Sequence, residues 1–140
     1  MNSKPITIFT DGGARGNPGP AAYGFVVKAD GKIVKEAGGA LGIATNNFAE
    51  YTAVIRALEF AKGQFAGRDI KFYMDSNLVA AQLSGLFKVK NASIRDLVFK
   101  IRQLESSFGQ ITYTHVPREK NKEADRLVNE ALDEMIEIDR

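Results

Sequence analysis

The spacing of apolar residues along this chain changes several times. Ile6 to Thr10 is a short β-rich run that ends at Asp11-Gly12-Gly13. Arg15 to Pro20 (RGNPGP) is turn chemistry throughout. Strand-like runs follow at Ala21–Ala29 and Lys32–Leu41, joined through Asp30-Gly31. An Asp-Gly pair between two such runs favours a tight hairpin turn. The first third therefore predicts an antiparallel meander of three strands.

From Asn46 the period lengthens. Glu50, Ala53, Val54, Ala57, Leu58 and Ala61 recur at helical spacing on one face, with Asn46 and Asn47 at the expected N-cap. Ile70–Met74 has strand length, and Asp75-Ser76 can cap a helix through about Leu83. Gly85–Asn91 predicts a loop. Ser93-Ile94-Arg95-Asp96 resembles a capping box opening a helix to about Ser106, and Gln110–Thr114 a further strand. Ala124, Leu127, Val128, Ala131, Leu132, Met135 and Ile136 then mark a long amphipathic helix. The order β-β-β-α-β-α-α-β-α predicts a mixed α/β sheet with helices packed on its faces.

Composition narrows the classes. The length of 140 residues, 44% apolar and 26% charged, suits one folded domain and argues against disorder. With no cysteine, any metal must be held by oxygen ligands or by the single histidine, His115. No signal peptide follows Met1-Asn2-Ser3-Lys4-Pro5 and no run is long enough to span a membrane, so a cytoplasmic protein is expected. The net charge of +2 does not identify a partner, but its distribution is uneven. Lys88, Lys90, Arg95, Lys100 and Arg102 face one acid, Asp96, whereas Glu130 to Asp139 holds five acids and no base. The first region could face phosphate, or both could be solvated helix faces.

Four carboxylates carry the candidate chemistry. Asp11 and Asp75 each end a predicted strand; if those strands are parallel neighbours, both reach the carboxyl edge of the sheet, where open α/β sheets place their sites. A turn or N-cap role is the plain alternative for each. Glu50 lies on the apolar stripe of its helix, where a carboxylate is desolvated. It is either a capping-box glutamate reaching back to Asn47 or a group compensated by a cation. Asp125 opens the last helix, where the helix dipole favours it in any case. Carboxylates gathered at one corner repel and raise one another's pKa, an arrangement that a hard divalent cation relieves. Two such ions roughly 3.5–4 Å apart suit phosphodiester hydrolysis.

The string Thr10-Asp11-Gly12-Gly13-Ala14-Arg15-Gly16-Asn17-Pro18-Gly19-Pro20 resembles the signature of type 1 ribonucleases H. Thr45-Asn46-Asn47-Phe48-Ala49-Glu50 resembles that family's second motif and Asp75-Ser76 its third. His115, Asn121 and Asp125 resemble its fourth. Together the motifs span most of the chain. The resemblance implies a ribonuclease H-like fold over residues 1–140: a five-stranded mixed sheet, three strands as an antiparallel meander plus two parallel strands, with helices on both faces. It implies Asp11, Glu50, Asp75 and Asp125 as ligands of two Mg2+ ions, with Mn2+ able to substitute. The implied reaction is in-line hydrolysis of the RNA strand of an RNA–DNA hybrid, leaving 5′-phosphate and 3′-hydroxyl ends. His115 matches a loop histidine that assists proton movement or product departure. Asn17, Asn46 and Asn77, with the backbone at Gly12, match positions in the hybrid's minor groove; Thr45 and Asn91 match positions on a DNA phosphate. The implied enzyme is a monomer with no obligatory protein partner and no membrane association.

The chain departs from the pattern in places. Many members carry a long basic, tryptophan-rich insertion after the third motif; here that region is only Gly85–Asn91 and the chain has no tryptophan. Phe87, with Lys88 and Lys90, is expected to replace part of it. Ile43 stands where some members have an arginine, and Asn77 where some have glutamine. Three other readings remain open: a catalytically inert nucleic-acid-binding module of the same fold, a nuclease acting on DNA strands or junctions, and a nucleotide-binding protein using the glycine loop. The complete carboxylate set opposes the first, the asparagine-rich surface the second. Against the third, the glycine loop precedes a strand and offers no helix N-terminus to phosphate.

Overall fold

The computed structural model describes residues 4–138, with side chains through Met135. Met1-Asn2-Ser3 of the lead-in, the side chains of Ile136 and Glu137, and Asp139 lie outside the described residues. The elements are β1 (Ile6–Ala14), β2 (Gly19–Ala29), β3 (Lys32–Ala44), α1 (Asn46–Phe65), β4 (Ile70–Met74), α2 (Asn77–Leu83), α3 (Ala92–Glu105), β5 (Ile111–His115), a 3-10 turn at Arg118–Lys120, and α4 (Lys122–Ile138). The five strands form one sheet in the order β3-β2-β1-β4-β5. β1, β2 and β3 pair antiparallel, while β1–β4 and β4–β5 pair parallel. This is the expected mixed sheet.

Alternation along β1 sorts the two faces. Ile6 and Ile8 point to the larger core with Phe72, Met74, Val54, Leu58 and Tyr51. The other face meets α4, whose Val128, Ala131 and Leu132 pack on Ala22 of β2. At Gly24 the helix comes close: an added Cβ would lie 2.7 Å from the Ala124 carbonyl oxygen and 2.9 Å from Leu127 Cβ. The hairpin turn has positive φ at both Asp30 (53°) and Gly31 (77°), the mirror-image turn that matches strand twist. On the larger-core side, the Tyr113 hydroxyl donates to Glu105 at 2.6 Å. Arg102 donates to the same carboxylate and to the Leu83 carbonyl, tying α3 to β5 and α2.

Several boundaries differ from the sequence reading. β1 runs on through Asp11-Gly12-Gly13 to Ala14, because β2 continues to pair with it as far as Ala14↔Ala21. The N-cap of α1 is Thr45, whose Oγ1 accepts from the Phe48 N–H at 3.1 Å, not Asn46 or Asn47. Glu50 therefore lies past the N3 position, and the capping-box alternative is removed. α3 is capped by Asn91, which accepts from the Ile94 N–H, so Ser93 lies inside the helix. The basic stretch is partly engaged: Arg102 turns onto Glu105, and Lys100 lies 3.7 Å from Glu59.

Replacing Gly24 with alanine is expected to destabilise the protein by about 1–3 kcal/mol, since α4 backbone must shift. Urea unfolding measures this. An unchanged midpoint would mean that α4 is not held against β2 as described.

Candidate active site

The parallel pairing of β1 with β4 ends at Thr10↔Met74. Asp11 is the next residue of β1 and Asp75 the first residue past β4, so the two carboxylates emerge side by side where the ladder stops. Asp11 remains in the antiparallel ladder opposite Gly24, which fixes its backbone. Glu50 comes from the start of α1. That helix reaches the strand only because residue 12 is glycine: a Cβ there would collide with the Ala49 carbonyl and the Glu50 nitrogen. Asp125 comes from the first turn of α4.

Oxygen atoms of Asp11, Glu50 and Asp75 lie within 4.8 Å of one another. Asp11 and Glu50 are buried, while Asp75 and Asp125 are partly exposed. Burial pushes the Asp11 carboxyl far above the usual carboxylate range, and the negative charges of Asp75 and Asp125 push it further. Glu50 is raised in the same way, by burial and then by Asp11 and Asp75. For both, a hydrogen bond from the Gly12 backbone opposes the rise. The four acids line one open cavity of about 590 Å³ with Gly12, Asn46 and Arg118. Hard oxygen donors gathered at this density fit a divalent cation such as magnesium, manganese or calcium.

The remaining expected residues divide into groups. Asn46 joins the acid cavity, and its Oδ1 accepts from the Ala14 N–H at 2.7 Å. Asn17 Oδ1 accepts from the Asn46 N–H at 3.0 Å. Both amides thus use their acceptors on backbone, and among the described residues no partner takes their Nδ2 donors. Asn17, Thr45 and Asn91 come together in a second groove of about 520 Å³, with Ile43 and Phe48 on its walls. Ile43 is 72% exposed there. Asn77 is exposed at the start of α2, and Phe87, Lys88 and Lys90 are exposed on the loop before α3. None of these four lines either cavity. His115 ends β5 opposite Met74 and is exposed; it does not line the acid cavity.

Two further residues belong to this corner. Arg118 places Nε 3.8 Å from Asp75 Oδ2, although its side chain is 84% exposed. Its only sequence signal was its place in the loop between the last strand and the last helix. Asn121 is 1% exposed. Its Nδ2 donates to the Thr10 carbonyl at 2.8 Å, and its own carbonyl accepts from the Asp125 N–H at 3.1 Å. Asn121 thus bonds the strand that carries Asp11 through its side chain and the helix that carries Asp125 through its backbone carbonyl. The spacing from Asn121 to Asp125, one helical turn, was the available signal.

Residues 9–131 match the family described as "Reverse transcriptase-like". The chain is 48% identical over 130 residues to ribonuclease HI of Halobacterium salinarum, covering 92% of this chain and 65% of that protein. The N-terminal RNase H domain of Rv2228c from Mycobacterium tuberculosis, solved as a fusion with maltose-binding protein, superposes with a TM-score of 0.92 at 41% identity, covering 99% of this chain and 100% of that one. LC11-RNase H1, solved in complex with an RNA/DNA hybrid, superposes with a TM-score of 0.89 at 40% identity, covering 94% and 99%. The chain spans only 35% of the length of the bifunctional Mycobacterium tuberculosis protein, and just under two thirds of the Halobacterium relative.

Two outcomes follow from this geometry. A carboxyl whose folded pKa lies above its unfolded value stabilises the fold fully below that unfolded value, about pH 4, and loses this as pH rises through the folded value. With cations chelated, the melting temperature is therefore expected to fall as pH rises from acid through neutrality, and Asp11→Asn to flatten the fall. A flat wild-type profile would contradict the raised pKa values. Asn121→Ala is expected to weaken divalent-cation binding by about tenfold, the usual effect of losing a group that orients ligands. Calorimetry of metal binding reads this directly; a lowered melting temperature with unchanged affinity would reduce Asn121 to a packing residue.

Proposed function

We propose a function from one established premise, that this chain belongs to the type 1 ribonuclease H family: it hydrolyses the RNA strand of RNA–DNA hybrids as an endonuclease. The observation that carries this reading is the carboxylate corner. Asp11, Glu50 and Asp75 crowd their oxygens within 4.8 Å, and Asp125 lines the same cavity and raises the pKa of Asp11 by its charge. Such a set is costly to a fold that only binds nucleic acid.

Asp11, Glu50, Asp75 and Asp125 would hold two divalent cations, Mg2+ with Mn2+ as a substitute. When bound, these supply an activated water and stabilise the leaving oxygen of the phosphodiester. The chain's own residues do the positioning. Asp11 and Asp75 would hold the cations at the end of the β1–β4 ladder, with Glu50 approaching from α1, and so set where the scissile phosphate can sit. The free Nδ2 donors of Asn17 and Asn46 suit the acceptor-rich minor groove and 2′-hydroxyls of the hybrid. Gly12 lets the strand backbone lie close. Thr45 and Asn91, side by side in the second groove, suit a phosphate of the DNA strand. Asn77, Phe87, Lys88 and Lys90 extend the substrate surface along α2 and the loop before α3. His115, exposed at the end of β5, serves proton movement or product departure. The structural relative solved on an RNA/DNA hybrid supports this choice of substrate. Residues 1–140 act in this reading as one catalytic domain, monomeric and cytoplasmic.

Asp11→Asn is expected to lower hybrid cleavage by at least about a thousandfold while hybrid binding stays measurable by gel shift. Cleavage at near wild-type rate would overturn the assignment of the carboxylates. His115→Ala is expected to slow turnover by about ten- to a hundredfold without abolishing it. Complete loss would give His115 a larger role.

A further inference from the structure

α4 covers β3, β2 and β1 on its side of the sheet. The far part of that face, toward β5, lies open among the described residues. Alternation directs Thr7 and Phe9 of β1, Lys71 and Tyr73 of β4, and Thr112 and Thr114 of β5 onto it. The rings of Phe9 and Tyr73, paired across the two strands, stack at 5.3 Å and 27°. Lys28 Nζ lies 5.1 Å from the Phe9 ring centre. Concavities of about 500 and 330 Å³ meet at Phe9 and Lys28; Lys4 and Lys71 line the first, Lys120 and Lys122 the second. The acids nearby are Asp30, Glu119 and Glu123, and Glu123 pairs with Lys28 at 3.5 Å. Five lysines against three acids leave this face positive.

The location selects the occupant. Phe9 stands two residues before Asp11 on β1, on the same face and roughly 7 Å lower, and Tyr73 beside it stands two residues before Asp75, the first residue past β4. We propose that this open sheet face binds single-stranded RNA that continues from the strand held at the carboxylates, with bases on the Phe9–Tyr73 pair and phosphates near Lys28, Lys71 and Lys4. Adjacent aromatics on neighbouring strands, flanked by cations, form the usual stacking platform for unpaired bases. An acidic peptide fits the lysines but gives the stacked rings no role. The cleavage arm of the test rests on the nuclease reading, and the binding arm does not.

The binding arm measures anisotropy of a fluorescent twelve-nucleotide oligo(U) with cations chelated. Tyr73→Leu is expected to weaken binding about tenfold and Tyr73→Phe to restore it. Lys71→Glu, at an exposed position, is expected to reduce the salt dependence by about 0.7 in log–log slope. In the cleavage arm, a hybrid with a single-stranded RNA overhang is expected to show a lower KM than a blunt hybrid, a preference that both Tyr73→Leu and Lys71→Glu erase. Oligo(U) binding unaltered by both variants would overturn the proposal, as would binding of an Asp/Glu-rich peptide in place of oligo(U). Lack of all cleavage with these binding effects intact would overturn only the nuclease reading.

Discussion

Mutual repulsion among carboxylates held partly out of water is the constraint around which this corner of the molecule is built. Asp11 and Glu50 are buried, and Asp75 brings a third negative charge within 4.8 Å. Water alone cannot relieve such a set, and of the two arginines on the cavity's lining among the described residues, Arg15 is paired with Asp133 and Arg118 is largely exposed. The surrounding structure holds the acids in place by rigid means. Two parallel strands stop at the same register, a glycine lets a helix touch a strand, and Asn121 bridges β1 to α4. The cost of the arrangement makes sense if a divalent cation completes it.

The rest of the sheet follows from placing that corner. The parallel β1–β4 pair brings two aspartates together from residues 64 apart in sequence. The antiparallel meander gives β1 a second partner, which carries the strand past Asp11 to the glycine turn. α1 and α4 approach from opposite faces, and each delivers one carboxylate to the same edge. The result is one open cavity lined by all four acids, and the asparagine and threonine groove beside it extends the surface.

Much of this was legible in the sequence. Strand and helix periods gave the element order, Asp30-Gly31 gave the hairpin, and the four acids were identifiable by position and by family resemblance. Local signals failed where distant partners decide. Asp11-Gly12-Gly13 reads as the end of the first strand, yet β2 pairs with it and carries the strand on to Ala14. Asn46 and Asn47 read as caps, but Thr45 makes the capping bond and Asn46 reaches back to Ala14. Arg102 belongs to a basic stretch in sequence and to a Glu105–Tyr113 network in space. Asn121 was visible as a motif residue, but its bond to Thr10, 111 residues away, has no trace in local pattern.

The most direct measurement is a gel assay with a labelled RNA–DNA hybrid beside duplex RNA, duplex DNA and single-stranded RNA, each with magnesium or with EDTA. The account predicts magnesium-dependent cutting of the RNA strand of the hybrid alone. Retention of the hybrid without any cutting, in the presence of magnesium, would contradict it.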